Sequence, residues 1–236
     1  MDTNNLDREH VFMEIKQRIN SIDEEKIKVI SIVGGAGSGK TTFANELVSF
    51  LSDACTLSTD DYVLGDREYR RKYLEGGNPL KKYNQRVLNN NIATIKTLKN
   101  GEYCYVPTYD DVTGEAVDAK EYHKKISQVK YIIVEGDFDF VIAPDLLIYF
   151  DVDDETRLNN RIQRDLNGRE VDEKSIRESF NLRQKLQHKP YTEPVRTKAD
   201  MIIVAKKKEK NDDNDMYEYC TTQRDRTEKD IQQFER

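Results

Sequence analysis

The chain has 236 residues, a length that suits one medium domain with a sizeable buried core. Hydrophobic residues make up 36% and charged residues 35%, so the surface is very polar and the core is confined to a few segments. The net charge of −6 argues against a general nucleic-acid binder, which carries a basic excess. No apolar run approaches the ~18 residues needed to cross a membrane, so no membrane partner is expected. The first ten residues, MDTNNLDREH, are acidic and polar, unlike a secretory signal peptide. Cys55, Cys104 and Cys220 are far apart and odd in number, and give neither a metal-ligand spacing nor a disulfide framework. A reduced, cytoplasmic compartment is the expectation.

Phe12, Ile15, Ile19 and Ile22 recur at helical spacing, predicting an amphipathic leading helix over 6–23. The apolar, β-branched run 28–33 reads as a buried strand. A glycine-rich stretch follows, and then a helical pattern over Lys40–Leu51. Residues 54–58 read as a strand and 80–99 as a helix. Residues 104–109 are expected to be extended, because proline disfavours a helical residue before it. The runs 129–136 and 145–152 are strands, a charged helix starts near Glu155, and 201–205 closes the apolar series. Helices between short apolar strands imply an α/β fold, a parallel sheet covered on both faces. The expected division is a domain over 1–205 and a polar linker and tail over 206–236, the tail helical or disordered.

Gly34-x-x-x-x-Gly39-Lys40-Thr41 fits the phosphate-loop pattern G-x-x-x-x-G-K-[ST], placed between a strand and a helix as that motif demands. Gly35, Gly37, Ser38 and Gly39 offer backbone N–H groups to phosphate oxygens, and the helix beginning near Lys40 aims its positive end at the same anion. Lys40 suits the β- and γ-phosphates of ATP, and Thr41, followed by Thr42, can supply a hydroxyl to Mg²⁺. In a doubly wound sheet ligands collect beyond the carboxyl ends of strands, where Asp60, Asp61 and Glu135 fall. Glu135 stands where phosphate-loop enzymes keep a second acidic residue for the metal. Asp60 is placed to orient an acceptor hydroxyl and take its proton; an ordinary strand end or helix cap is the alternative for each. Arg157, Arg161 and Arg164, spaced i, i+4, i+7, share one helical face that could close over transferring phosphate, or could pair with Glu155 and Asp165.

Together the segments GGAGSGKTT (34–42), LSTDDY (57–62), VPTYD (106–110), IIVEG (132–136), IYFDVDDETRLNNRIQRD (148–165) and EPVRTKADMIIV (193–204) resemble the uridine kinase family, within the larger group that includes phosphoribulokinase. The resemblance covers roughly residues 28–205. It implies a P-loop NTPase fold with a small β-hairpin near 103–126 over the acceptor pocket and an arginine-bearing lid. It further implies Asp60 as acceptor-side base, Tyr109 against the acceptor's base, and Arg161, Arg164 and Arg169 as lid residues. The chain departs from that family on the acceptor side. Thr113, Gly114 and Glu115 stand where a histidine is usual, with His123 the nearest histidine, and the lid is shortened to NGRE.

The expected activity is transfer of the ATP γ-phosphoryl, with Mg²⁺, to a small acceptor such as the 5′-hydroxyl of uridine or cytidine. A kinase for a non-nucleoside alcohol (a sugar, glycerate or pantothenate-like compound) and a non-catalytic ATP-binding regulator stay open. So do homo-oligomerisation and the choice between ATP and GTP.

Overall fold

The structure, a computed structural model, describes residues 6–22, 26–117, 124–168, 172–208 and 217–223. In chain order its strands are β1 (Lys28–Gly34), β2 (Ala54–Ser58), β3 (Cys104–Val106), β4 (Thr108–Asp110), β5 (Glu115–Val117), β6 (Lys124–Ile126), β7 (Tyr131–Gly136), β8 (Leu146–Asp151), β9 (Met201–Lys207) and β10 (Tyr217–Gln223). The α-helices are α1 (Arg8–Asn20), α2 (Lys40–Leu51), α3 (Arg67–Glu75), α4 (Gln85–Thr97), α5 (Asp154–Gly168) and α6 (Glu173–Arg183). A stretch of π-helix, Gln184–Thr192, continues α6 toward β9.

The main sheet runs β10-β9-β8-β1-β7-β2, parallel from β9 through to β2. Strands β1 and β7 are buried throughout, as central parallel strands must be. Alternate residues feed two cores. Ile30 and Ile32 of β1 join Ile133, Phe150 and Ile203 against Phe12 and Ile15 of α1 and Phe43 and Leu47 of α2. Val29 joins Ile132, Val134 and Leu57 against Leu88, Ile92 and Ile95 of α4 on the other face. The expected α/β architecture, a mostly parallel sheet with helices on both faces, is what the chain adopts.

Several boundaries shift. The leading helix starts after Asp7, whose carboxylate accepts the His10 N–H at 2.8 Å and so caps it. The helix expected over 80–99 splits, because Asn84 caps α4 by accepting from Val87 N at 3.2 Å while Pro79–Lys82 forms a 3₁₀ turn. The hairpin expected near 103–126 is present as two nested antiparallel ladders, an outer one of β3 with β6 and an inner one of β4 with β5.

The largest departure lies in the tail. Residues 217–223 are neither helical nor disordered: β10 pairs antiparallel with β9, Tyr219 opposite Ala205. Tyr219 packs into the core on the same side as Phe43, with ring centroids 6.1 Å apart. An alternation of tyrosine and threonine through Tyr217, Tyr219 and Thr221 suits a half-buried strand better than a helix.

Candidate active site

β1 delivers the chain into a loop that closes on the N-terminus of α2. Gly37 and Gly39 adopt φ of +84° and +85°, a left-handed conformation costly for residues with a Cβ. At Gly37 a Cβ would also sit 2.3 Å from the Arg157 carbonyl oxygen, so the loop backs directly onto α5. Gly39 caps α2 without offering a side-chain acceptor, which leaves the first helical N–H groups for a ligand. Ser38, buried, presents a hydroxyl with no hydrogen-bond partner.

Above this loop opens a cleft of about 1380 Å³. Its walls bring together Gly37, Ser38, Gly39, Lys40, Thr41, Thr42, Asp60, Glu135, Tyr109, Arg161 and Arg164, from five separate stretches of chain. Gly35 lies behind the loop instead, against the Arg157 guanidinium. Arg169 falls outside the described residues.

The Lys40 ammonium donates to Asp137 Oδ1 at 2.8 Å and lies 3.5 Å from the Gly35 carbonyl oxygen. Burial works against its charge, but Asp137, Glu135 and Asp60 together outweigh burial and raise its pKa. Asp137 shows the complement: burial opposes ionisation, yet the Lys40 charge and hydrogen bond hold its carboxyl below the ordinary range. The two form a committed ion pair on the cleft floor. Asp137 stands two residues beyond Glu135, and an acidic residue just past the strand end was the one signal in the sequence that could have marked it.

Glu135, 3% exposed, accepts a 2.6 Å hydrogen bond from the Ser58 hydroxyl; burial raises its pKa, against the pull of Lys40. Asp60 follows β2 on a 3₁₀ turn. Its side chain is open to the cleft's solvent while protein surrounds it, and that surrounding, reinforced by Asp137, raises its pKa against Lys40, Arg183 and Arg70. Its neighbour Asp61 turns away to accept the Tyr109 N–H at 2.9 Å, fixing β4 to the 3₁₀ turn. Asp61 is thus a brace for Tyr109, and Asp60 is the carboxylate that faces the cleft.

The three arginines of α5 part company. Arg157, 2% exposed, donates to Asp154 and Gln184 and packs over the Phe180 ring, so it serves as a pillar behind the phosphate loop. Arg161, 6% exposed, faces the cleft with Nε and Nη1 lacking hydrogen-bond partners. Burial and the nearby Arg183 pull its pKa down to about 10, against Asp165. Arg164 is mostly exposed and donates to Asp165 at 2.9 Å, the surface pairing that the helical spacing left open.

Four further residues reach the cleft that their local sequence does not mark: Arg70 from α3, Lys82 and Tyr83 from the α3–α4 connection, and Arg183 at the end of α6. Buried Gln187, on the π-helix, joins two of the charged groups. Its Nε2 donates to Asp137 Oδ2 at 2.8 Å, and its Oε1 accepts from Lys82 Nζ at 2.9 Å.

The donor set suits a hard cation. Among the described residues no three carboxylate, histidine or cysteine side chains gather as a self-sufficient metal cluster. Mg²⁺ needs none, since it keeps waters and phosphate oxygens and takes only one or two protein ligands. The Thr41 hydroxyl and the Glu135 carboxylate are oxygen donors of that kind on the same cleft.

Comparison with known proteins bears on the family and the fold. The family model described as Phosphoribulokinase / Uridine kinase family matches residues 29–212. Uridine kinase of Borrelia duttonii (strain Ly) is 31% identical over 186 residues, covering 75% of this chain and 86% of that protein. Among solved structures, D-glycerate 3-kinase from Cryptococcus neoformans var. grubii superposes with a TM-score of 0.62 at 13% identity, covering 84% of this chain and 94% of that one. Phosphoribulokinase from Rhodobacter spheroides gives 0.54 at 15% identity, covering 76% and 70%. At such identities the structural likeness shows the fold alone.

Proposed function

The chain belongs to the phosphoribulokinase / uridine kinase family, and on that premise we propose that it transfers the γ-phosphoryl group of ATP to a hydroxyl of a small acceptor. One observation carries the reading: the uncapped N-terminus of α2 and the Lys40 ammonium share a single cleft with Asp60 and Glu135. Anion-binding groups and carboxylates at one mouth are what in-line phosphoryl transfer requires.

In this reading the loop N–H groups and Lys40 bind the phosphates of ATP, and Arg161 and Arg164 offset charge on the group in flight. Thr41 and Glu135 would hold Mg²⁺, which would neutralise charge on the transferring phosphate group. Asp60 accepts the proton of the attacking hydroxyl. Its pKa, raised by burial and by Asp137, makes it a stronger base than an ordinary carboxylate. Asp137 keeps Lys40 charged and in place until a phosphate competes for it. No helix among the described residues is long and apolar enough to span a bilayer.

A nucleoside 5′-hydroxyl is the acceptor supported by relatives named uridine kinase and by Tyr109 on the cleft wall. A non-nucleoside alcohol is supported by Thr113, Gly114 and Glu115 where a histidine is usual, and by the Arg70 guanidinium 5.8 Å from the Tyr109 ring centroid, which occupies one face of the aromatic. The test is acceptor-dependent ADP release with Mg²⁺ across uridine, cytidine, sugars and small hydroxy acids. Turnover should fall about 100-fold or more in Lys40→Ala, as on loss of one charge-stabilising donor. ATP binding without turnover of any acceptor would instead make the protein a nucleotide-binding regulator.

A further inference from the structure

We propose that the acceptor half of the cleft takes a hydroxy compound bearing its own anionic group, a carboxylate or a phosphate, held by Lys82, Arg70 and Arg183 beside Asp60. The inference rests on the phosphotransferase reading of the cleft and narrows its acceptor.

The case begins with Lys82. Its side chain is buried, 5% exposed, and its one hydrogen bond goes to a neutral amide oxygen, Gln187 Oε1. Burial and then the Arg183 and Arg70 charges lower its pKa to about 8, and the pull of Asp137 and Asp60 does not offset them. The nearby Asp137 bonds Lys40 through Oδ1 and Gln187 through Oδ2 and makes no direct hydrogen bond to Lys82. Arg70 likewise makes no ion pair with a described carboxylate. Its Nη1 donates to the carbonyl oxygens of Gly65 at 2.5 Å and Gly114 at 2.6 Å, and its Nη2 to the Tyr109 hydroxyl at 3.4 Å, all neutral acceptors. Arg183 lines the same cleft and forms no ion pair with any described carboxylate.

Three cations therefore surround Asp60, the carboxylate meant for the acceptor hydroxyl. Asp60 is one carboxylate among these three cations and Asp137 is already paired with Lys40, so positive charge is in excess, and crowding buried like charges is costly. A neutral ribonucleoside would leave that cost standing, whereas an anion beside the hydroxyl would offset it with charge-assisted hydrogen bonds. The donor phosphates do not account for the cluster. They have the loop N–H groups, Lys40, Arg161 and Arg164, while Arg70 is fastened to Tyr109 and Gly114 on the acceptor wall. Gln187 accepts from Lys82 and donates to Asp137, so one amide stands between the Lys82 ammonium and the phosphate-loop pair.

The experiment is a set of binding titrations on the full chain with ADP and Mg²⁺ present, using matched probes: glycerate against glycerol, ribose 5-phosphate against ribose, and uridine. The anionic member of at least one pair should bind ~100-fold more tightly than its neutral partner, the gain of two charged hydrogen bonds. That preference should shrink to under about tenfold in Arg70→Gln, a change on a partly exposed helix that leaves the core intact, and in Lys82→Met. The pair showing the preference tells carboxylate from phosphate. Equal or tighter binding of the neutral partners or of uridine would overturn the proposal. So would silence of every anion on a protein that still binds ADP, competition of the anions with ADP, or an anion preference unchanged in Arg70→Gln. Failure to bind ADP at all would instead remove the phosphotransferase reading beneath it.

Discussion

Asp60 and Asp137 are both carboxylates on the cleft floor, yet they sit in opposite electrostatic states. Asp137 has Lys40 within hydrogen-bond reach and is held ionised below the ordinary range; Asp60 has no such partner, and burial with Asp137 nearby lifts it. That difference suits the roles proposed for them: Asp137 orders the lysine, and Asp60 serves as base toward the acceptor. Asp60→Asn should leave ATP affinity within about twofold and lower kcat about 10²–10⁴-fold, as for loss of a general base; a normal kcat with raised KM would make Asp60 a binding residue only. Asp137→Asn tests the other role. An amide at 137 can accept from Lys40 only by turning its NH₂ toward the Gln187 Nε2 donor, and a flipped Gln187 would face Lys82 donor to donor. This clash should cost about 2 kcal/mol, the cost of a buried polar group left unmatched. Urea unfolding would measure it, and a midpoint equal to the parent's would show that the chain of hydrogen bonds carries no stability.

At the scale of elements, the π-helix Gln184–Thr192 does what a regular helix end could not. It places Gln184 on Arg157 and Asp154, Gln187 between Lys82 and Asp137, and Tyr191 so that its hydroxyl donates to the Gly77 carbonyl at 2.9 Å. Wide turns of this kind recur at functional sites because they re-aim side chains. The same turn wedges His188 behind the phosphate loop, where its Nδ1 has no hydrogen-bond partner. Burial, with Arg157 nearby, lowers its pKa to about 4, against Asp154 and Asp137. The unfolded chain then takes up this proton first as pH falls. Stability should be full above about pH 6.5 and decline toward pH 4, by up to about 3 kcal/mol. Denaturant titrations of His188→Gln across pH 4–7 should show a shallower acid decline than the parent; parallel curves would mean that the imidazole can reach solvent and charge freely.

For the molecule as a whole, the added strand matters most. Without β10, β9 would present an unpaired edge, a template for association with another chain. With it, the sheet gains an antiparallel margin, and Leu6 bridges to Tyr219 with N–H to carbonyl bonds of 2.8 and 3.1 Å in the two directions. The two ends of the described chain thus meet at the sheet edge beside the cleft. The Tyr217 hydroxyl accepts from Asn160, whose amide also donates to the Gly37 carbonyl at 2.9 Å, so this margin is tied to the phosphate loop itself. Tyr219→Ala should cost about 3 kcal/mol through the cavity left against Phe43, measurable by thermal or urea unfolding. A loss below 1 kcal/mol, on the order of an ordinary surface change, would show that β10 is only loosely attached.

What the sequence by itself determined is whatever a short stretch of chain can enforce. The buried strand β1, the glycine loop and α2 follow from neighbouring residues alone, and Asp60 and Glu135 were legible because each ends an apolar strand beside that loop. Elements without an apolar stripe were not legible. Helix α3 buries only Leu74, and β10 became a strand because β9 offered it an edge. The acceptor side was beyond local reading for the same physical reason. Arg70, Lys82, Arg183 and Gln187 are unremarkable polar residues within their own segments, and they become one charged pocket only when α3 and the turn after it meet the end of α6 and its π-helix. Arg157 makes the point from the other direction: its helical spacing put it on the face of Arg161, and only packing against Phe180 and Gln184 turned it from a cleft residue into a pillar. Spacing sets which residues share a face, but the fold decides which part of that face is covered, and in a low-dielectric interior coverage decides which charges act on one another.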